Sequence, residues 1–167
     1  MPIVELRPVL ERLAGHPILT FEGGDVVLFE GSTTGRLLFL IRGVVDVVKD
    51  DSVIARVSET GAVFGDMAVL RGRPHSADVL AVESSSFYVV ADAETFLKRE
   101  PLVALYVAVV QSGRLDAVNR ELIEARKPPA GAEPRPGRLA GLIDRIGGAL
   151  RAITLRNHQT GAEQIVR

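Results

Sequence analysis

The sequence contains no cysteine. This excludes disulfides, thiolate metal sites and cysteine nucleophiles, and is typical of proteins from a reducing cytosol. Histidine is also scarce, occurring only as His16, His75 and His158. The closely spaced histidines of a metal-dependent barrel enzyme are therefore missing. We expect no catalytic residues, no metal site and no resident cofactor.

Motifs for other chemistry are absent as well. Residues 31–36 carry two glycines separated by three residues, whereas a phosphate loop has four there and ends with a lysine. The serines of residues 84–86 have no histidine close in sequence that could activate one of them as a nucleophile. We interpret both stretches as polar turns.

Long hydrophobic runs are lacking too. The longest run, residues 102–110, is far too short to cross a bilayer. The first fifteen residues carry charged side chains at Glu5, Arg7, Glu11 and Arg12, whereas a signal peptide has a basic start and an apolar centre. We therefore expect a soluble, cytoplasmic protein without a membrane span.

Charge is unevenly distributed, although the formal net charge is only −1. Residues 1–126 carry 13 basic and 18 acidic side chains, a net charge of −5. Residues 127–167 carry 7 basic and 3 acidic side chains, a net charge of +4. An acidic body argues against broad nucleic-acid binding by this part of the chain.

From residue 18 to residue 90, short apolar runs alternate with glycine, aspartate and serine. This pattern predicts a mainly β fold with flanking helices. The strands are expected to form a jelly-roll-like antiparallel barrel or sandwich. The predicted strands are residues 18–21, 26–29, 37–42, 44–48, 53–57, 77–81 and 86–90. The predicted helices are residues 7–14, residues 93–100 after the N-cap Asp92, and a long C-terminal helix from Pro101 to about residue 125.

Three segments are predicted along the chain: a domain over residues 1–126, a linker over 127–137 and a tail over 138–167. The linker contains four prolines and cannot continue the long helix. In the tail, apolar residues recur at helical spacing over residues 139–153 with arginines between them. This pattern predicts an amphipathic basic helix.

The stretch from Phe64 to Val79 carries the most specific chemistry. Gly65 allows a tight turn, and the apolar residues that follow suit one helical turn. The first amides of such a turn have no intrahelical partner, and the aligned peptide dipoles add positive charge there. The stretch is therefore predicted to hold an anion such as a phosphate through its main chain.

This stretch resembles the phosphate-binding cassette of the cyclic nucleotide-binding domain family, whose pattern is Phe-Gly-Glu, a short apolar helix, then Pro-Arg-x-Ala-x-Val. The resemblance extends over about residues 17 to 126 and includes the Ile-x-Gly-x-Val-x-Val pattern of residues 41–47. It implies cyclic AMP or cyclic GMP as the ligand. The ligand-binding residues implied are Phe64, Gly65, Asp66, Met67, Ala68, Pro74, His75, Ser76 and Ala77.

Two cassette side chains depart from the family pattern. Asp66 stands where the family has Glu, the residue said to hold the ribose 2'-hydroxyl, and His75 stands where the family has the Arg that clamps the phosphate. Ser76 matches the small hydroxyl residue that assists this Arg. Histidine offers at most two donors and is only partly charged near neutral pH, whereas arginine is a permanent bidentate fork.

We expect a stand-alone regulatory module that senses a ligand and signals through its C-terminal helices. Family members often carry a DNA-binding domain after the long helix, but the residues after Arg126 are too few for a winged helix-turn-helix. The alternative is a protein-interaction scaffold whose degenerate cassette binds no nucleotide and whose basic tail docks a partner.

The long helix carries Leu115, Val118 and Leu122 on one face. This stripe fits either packing on the barrel or contact with a second copy or a partner protein. The predicted helix of residues 139–153 is a second candidate for such contacts, because its apolar stripe is too large to leave in water.

Overall fold

The computed structural model describes residues 3–126. By its internal contacts the chain divides into a first unit, residues 1–121, and a second unit, residues 122–167. The predicted linker of residues 127–137 and the predicted tail of residues 138–167, with its helix at 139–153, lie outside the described residues. The division of the chain into these segments stays a prediction.

Four helices and eight strands make up the described fold. In chain order they are α1 Leu6–Leu13, β1 Ile18–Phe21, β2 Val26–Leu28, β3 Leu37–Arg42, β4 Val45–Lys49, β5 Ser52–Val57, β6 Val63–Phe64, α2 Asp66–Arg71, β7 Asp78–Ala81, β8 Ser85–Val90, α3 Ala93–Arg99 and α4 Pro101–Glu124. Each predicted strand overlaps an observed one. The two-residue strand β6 was missed, because it is too short to show an alternating pattern.

The strands form two antiparallel four-stranded sheets. Sheet 1 has the order β1-β8-β3-β6 and sheet 2 has the order β2-β7-β4-β5. Strands that are consecutive in sequence mostly lie in different sheets, and β4 and β5 alone form a hairpin of sequential neighbours. This confirms the predicted jelly-roll-like arrangement, with two separate sheets and not a closed barrel.

Strand β3 faces two cores, which explains why its first four residues are all buried. Leu38 and Leu40 pack with residues of sheet 2 such as Val45 and Val79 in the core between the sheets. Leu37 and Phe39 point the other way and pack in a second core with residues of α1, α3 and α4. Successive residues of a strand face opposite sides, so an uninterrupted apolar run is what a strand between two cores requires.

Helix α4 is held against sheet 1 by Val103 and Val107, which are buried in the second core. Among the described residues it is the one helix with the length and apolarity of a membrane span, with a mean hydropathy of 1.2 over its most apolar 18 residues. Core helices pass the same test, and packing on the sheet accounts for part of its apolar character. The expectation of no membrane span rested on the short run within this helix and stays a prediction.

The hairpin between β4 and β5 turns through two aspartates. Asp50 and Asp51 have φ angles of 49° and 58°, and Lys49 pairs with Ser52 across the turn. A two-residue turn with positive φ at both positions is of type I', which favours glycine at its second position. Asp51 therefore occupies a conformation that glycine adopts at lower cost.

We expect Asp51→Gly to stabilise the fold by about 0.5 kcal/mol, since relief of backbone strain outweighs the added freedom of the unfolded chain. Thermal unfolding followed by circular dichroism measures this as a rise of about 2 °C in Tm. Ser52→Gly is the matched control. It places glycine one residue later, inside β5, and should lower Tm. A lower Tm for Asp51→Gly would show that the aspartate makes a contact outweighing its strain.

Candidate ligand site at the cassette

The cassette begins at a glycine that no other residue could replace without strain. Gly65 is the N-cap of α2 and has a φ of 83°. A side chain at this position would also collide with the carbonyl oxygen of Arg36. The amides that follow form the first turn of α2, where helical N–H groups lack intrahelical partners. The predicted main-chain donors are therefore placed as the sequence suggested, at the start of a short helix.

His75 lies beside this turn. Its ring Cε1 is 3.5 Å from the point where a Cβ on Gly65 would stand, and only 6% of the residue is exposed. The ring Nε2 lies 2.9 Å from the Thr34 hydroxyl, and this hydroxyl also accepts a bond of 3.3 Å from the Arg36 amide. Thr34 can thus donate its proton to a neutral imidazole.

Burial sets the charge of His75. Removal of the ring from water lowers the pKa of His75 below its ordinary value of 6.5. The backbone fixes the residue as well, because the His75 amide donates to the Ser32 carbonyl at 2.9 Å and the Gly31 amide donates to the His75 carbonyl at 2.8 Å. At neutral pH the position therefore holds a neutral ring tied to the loop between β2 and β3.

Asp66 is the second altered residue, and its carboxylate is bonded to α4. The residue is 3% exposed, and its oxygen Oδ2 accepts hydrogen bonds from the Gln111 amide and, at 3.1 Å, from Arg114 Nη1. The guanidinium of Arg114 also donates to the Val63 carbonyl and lies 5.9 Å above the centre of the Phe64 ring. Two α4 side chains thus compensate the acid that the resemblance assigns to the ribose.

Sequence reasoning missed Gln111 and Arg114. They lie on α4, 45 and 48 residues after Asp66, and only the folded chain brings them to the cassette. The spacing of these two residues in the sequence could have indicated that they lie on the same face of α4. Polar residues at positions i and i+3 share one face of a helix, and here that face continues from the core residue Val107.

A further anchor joins α4 to the turn that precedes β6 and the cassette. The Tyr106 hydroxyl donates to the Gly61 carbonyl at 3.0 Å. A Cβ on Gly61, whose φ is 87°, would lie 2.6 Å from that hydroxyl and would also collide with Leu6. The absence of a side chain at Gly61 therefore allows α1 and α4 to approach this turn closely.

The remaining predicted ligand residues range from buried to exposed. Phe64 and Ala68 are buried, with Phe64 in the core between the sheets. Met67, Pro74 and Ser76 are exposed, and Ala77 is half-buried. The structure thus brings Gly65, Asp66 and His75 to the start of α2.

A groove of about 290 Å³ lies on α2 and its neighbours. Its lining consists of Thr33, Gly35, Ala68, Val69, Gly72, Arg73, Ala91, Asp92 and Glu94. It shares only Ala68 with the predicted ligand residues. Its two acids are already engaged, since Asp92 accepts from the Thr95 amide at 3.2 Å and Glu94 pairs with Lys98 at 2.6 Å. Within residues 3–126, no group of three or more metal-ligating side chains occurs.

Comparison with known proteins identifies the family. A protein-family model described as the cyclic nucleotide-binding domain matches residues 18–99. A search of curated proteins finds no match. The resemblance inferred from the cassette is confirmed.

Solved structures show the same fold at low identity. The catabolite activator protein of Thermus thermophilus is 22% identical with a TM-score of 0.61, over 74% of this chain and 61% of that one. A cyclic nucleotide-binding domain from Methylobacillus flagellatus KT is 22% identical with a TM-score of 0.59, over 68% of this chain and 69% of that one. A transcriptional regulator of Thermotoga maritima is 15% identical with a TM-score of 0.58, over 71% of this chain and 97% of that one.

These matches fix the architecture around the cassette. This chain spans about three fifths of the length of the Thermus protein. The matched segment contains both sheets and the helices α2 and α3, and α1 and α4 flank it in the sequence. Residues 18–99 of this chain therefore form a member of the cyclic nucleotide-binding domain family.

Proposed function

We propose that this chain is a non-catalytic regulatory module of the cytosol that senses a cyclic nucleotide at the cassette and passes the signal to α4. One observation carries the proposal. The buried carboxylate of Asp66, at the cassette position that family resemblance assigns to the ribose, is bonded to Gln111 and Arg114 of α4. A ligand that contacts Asp66 changes the charge compensation of this acid, and so acts directly on the helix.

The ligand would be held mainly by main-chain groups. Its cyclic phosphate would lie at the first amides of α2, after Gly65, where the helix dipole also favours an anion. Its ribose would face Asp66. His75 stands beside the phosphate position but is neutral at pH 7, so it supplies at most one neutral hydrogen bond. We therefore expect weaker binding than an arginine at this position would give.

A second candidate function is supported by the same two residues. His75 is buried and bonded to Thr34, and the carboxylate of Asp66 is already compensated by α4. Both facts favour a scaffold that binds no nucleotide and contacts a partner protein. Calorimetric titration of the purified chain with cyclic AMP and cyclic GMP separates the two, since saturable heat supports the sensor and its absence supports the scaffold.

Output would pass through the part of α4 that follows Arg114. Leu115 and Val118 are 62% and 58% exposed, and Leu122 is exposed as well. These are the residues predicted to contact a partner protein or a second copy. Because they follow the residues that bond Asp66 along the same helix, a change in how α4 is held at the cassette alters how this stripe is presented.

The charge at position 75 gives the first test of the sensor. We expect His75→Arg to tighten cyclic AMP binding about tenfold at pH 8, because a permanent cation beside the phosphate replaces a neutral ring. Wild-type binding should strengthen as pH falls below 6.5, since the lowered pKa confines the charged form of His75 to that range. The variant should show no such pH dependence.

Calorimetry at pH 8 and at a series of pH values below 6.5 measures both effects, and thermal melting at each pH confirms that the variant is folded. Ser76→Ala is a useful control, because it alters the neighbouring exposed residue without changing charge. Equal affinities of wild type and His75→Arg at pH 8 would show that position 75 does not face the phosphate.

The bond between α4 and the cassette gives the second test. We expect Arg114→Met to lower the free energy of unfolding by about 2 kcal/mol, because it removes the one cation that, within residues 3–126, pairs with a carboxylate whose side chain is 4% exposed. This expected loss in the free energy of unfolding is smaller than the loss for a fully buried ion pair, because Arg114 itself is 38% exposed.

Arg120→Met on the same helix is the matched control. Its pair with Asp116, at 3.0 Å, is exposed on both sides and should contribute less than about 0.5 kcal/mol. Urea unfolding measures both variants, and hydrogen exchange should increase over residues 106–121 in Arg114→Met alone. Equal stability of the two variants would mean that the Asp66 pair does not hold α4.

A further inference from the structure

Gln111 of α4 contacts the acid of the cassette through its side-chain amide. It is half-buried, and its amide donates to Oδ2 of Asp66. The donor is uncharged and the acceptor is a carboxylate oxygen. A ribose hydroxyl would approach Asp66 with the same pairing, a neutral donor on an ionised acceptor.

Access to Asp66 is restricted by this arrangement. Its side chain is 4% exposed, so a hydroxyl from outside has little carboxylate surface to contact unless a neighbouring group moves. The neighbours that cover it on α4 are Gln111 and Arg114. Both bond Oδ2, so one of them must give way for a ligand to bond this oxygen.

The two neighbours differ in how firmly they are held. Arg114 is charged, bonds the Val63 carbonyl as well as Asp66, and lies over the Phe64 ring. Gln111 is neutral, and within the described residues its side chain has one hydrogen bond, that with Asp66. Rotation about its own side-chain bonds is enough to release this oxygen of Asp66. Gln111 is the contact that costs least to break.

We propose that Gln111 is an intramolecular substitute for the ribose hydroxyl and sets the specificity of the site. It occupies Oδ2 of Asp66 in the unliganded chain, so that a 2'-hydroxyl that bonds this oxygen gains no net bond on binding. Arg114 remains on Asp66 in both states, so the ligand changes the contact of α4 with the acid at Gln111 alone. This inference rests on the proposed nucleotide site and adds to it a residue that weakens recognition of the ribose.

The test compares cyclic AMP with 2'-deoxy cyclic AMP by calorimetry on the full chain. We expect the wild type to bind both with affinities equal within about twofold. Gln111→Ala should bind cyclic AMP about tenfold more tightly than the wild type does, which corresponds to one hydrogen bond to a charged acceptor, and should bind the 2'-deoxy compound as the wild type does. Asn119→Ala, which removes an exposed amide from the same helix, should match the wild type for both.

Each of the other possible outcomes of this comparison either supports or overturns the inference about Gln111. Wild-type discrimination between the two nucleotides that Gln111→Ala leaves unchanged would show that the ribose reaches Asp66 without displacing Gln111, and would overturn this inference alone. An equal gain for both nucleotides would make Gln111 a steric cover, which also overturns it. Binding by Gln111→Ala alone supports the inference and excludes sensing by the wild type. Absence of binding in all variants overturns the proposed function and the inference together.

Thermal melting checks that each variant is folded. If Gln111→Ala does not fold, Gln111→Met provides the same comparison, since methionine keeps the length and apolar stem of the side chain without the donor. A merely structural role of Gln111 would change stability and would leave the ratio between the two nucleotides at its wild-type value.

Discussion

A carboxylate buried beneath a helix is the constraint on which this domain depends. Removing an ionised acid from water costs several kcal/mol unless opposite charge and hydrogen bonds replace the lost solvation. At Asp66 that replacement comes from Gln111 and Arg114, and not from the cassette itself. The requirement to compensate one acid therefore ties the position of α4 to the state of the cassette.

The two departures from the family pattern are physically connected. With His75 neutral, the cassette lacks the cation that the family places next to the phosphate. The guanidinium of Arg114 comes from α4 and is bonded to Asp66 and Val63. Its positive charge is thus directed at the acid. An arriving phosphate would depend on amides and the helix dipole, which are weaker than a guanidinium fork.

The sequence predicted the sheets well because their information is local. Alternation and apolar runs gave seven of the strands, and Asp92 and Pro101 marked the starts of α3 and α4. Strand β6 was missed because two residues between Gly61 and Gly65 cannot display a period. The cassette was recognisable because glycine at position 65 meets a backbone requirement, a φ of 83°.

The chemistry of the site could not be predicted in the same way. Whether His75 is charged depends on its burial beside Thr34, and whether Asp66 is free depends on residues far along the chain. Neither property is encoded in the neighbouring sequence. A motif locates the acid, but only tertiary contacts determine what already occupies it.

The distribution of anchors along α4 determines how a signal could travel. Val103 and Val107 are buried in the core, so the start of the helix cannot move without opening that core. Tyr106, Gln111 and Arg114 then bond the segment of residues 61–66 in turn. The apolar residues beyond Arg114 are exposed. Under the proposed function, a ligand at Asp66 would therefore act where the anchored part of the helix ends, next to the exposed residues Leu115 and Val118 and away from the core.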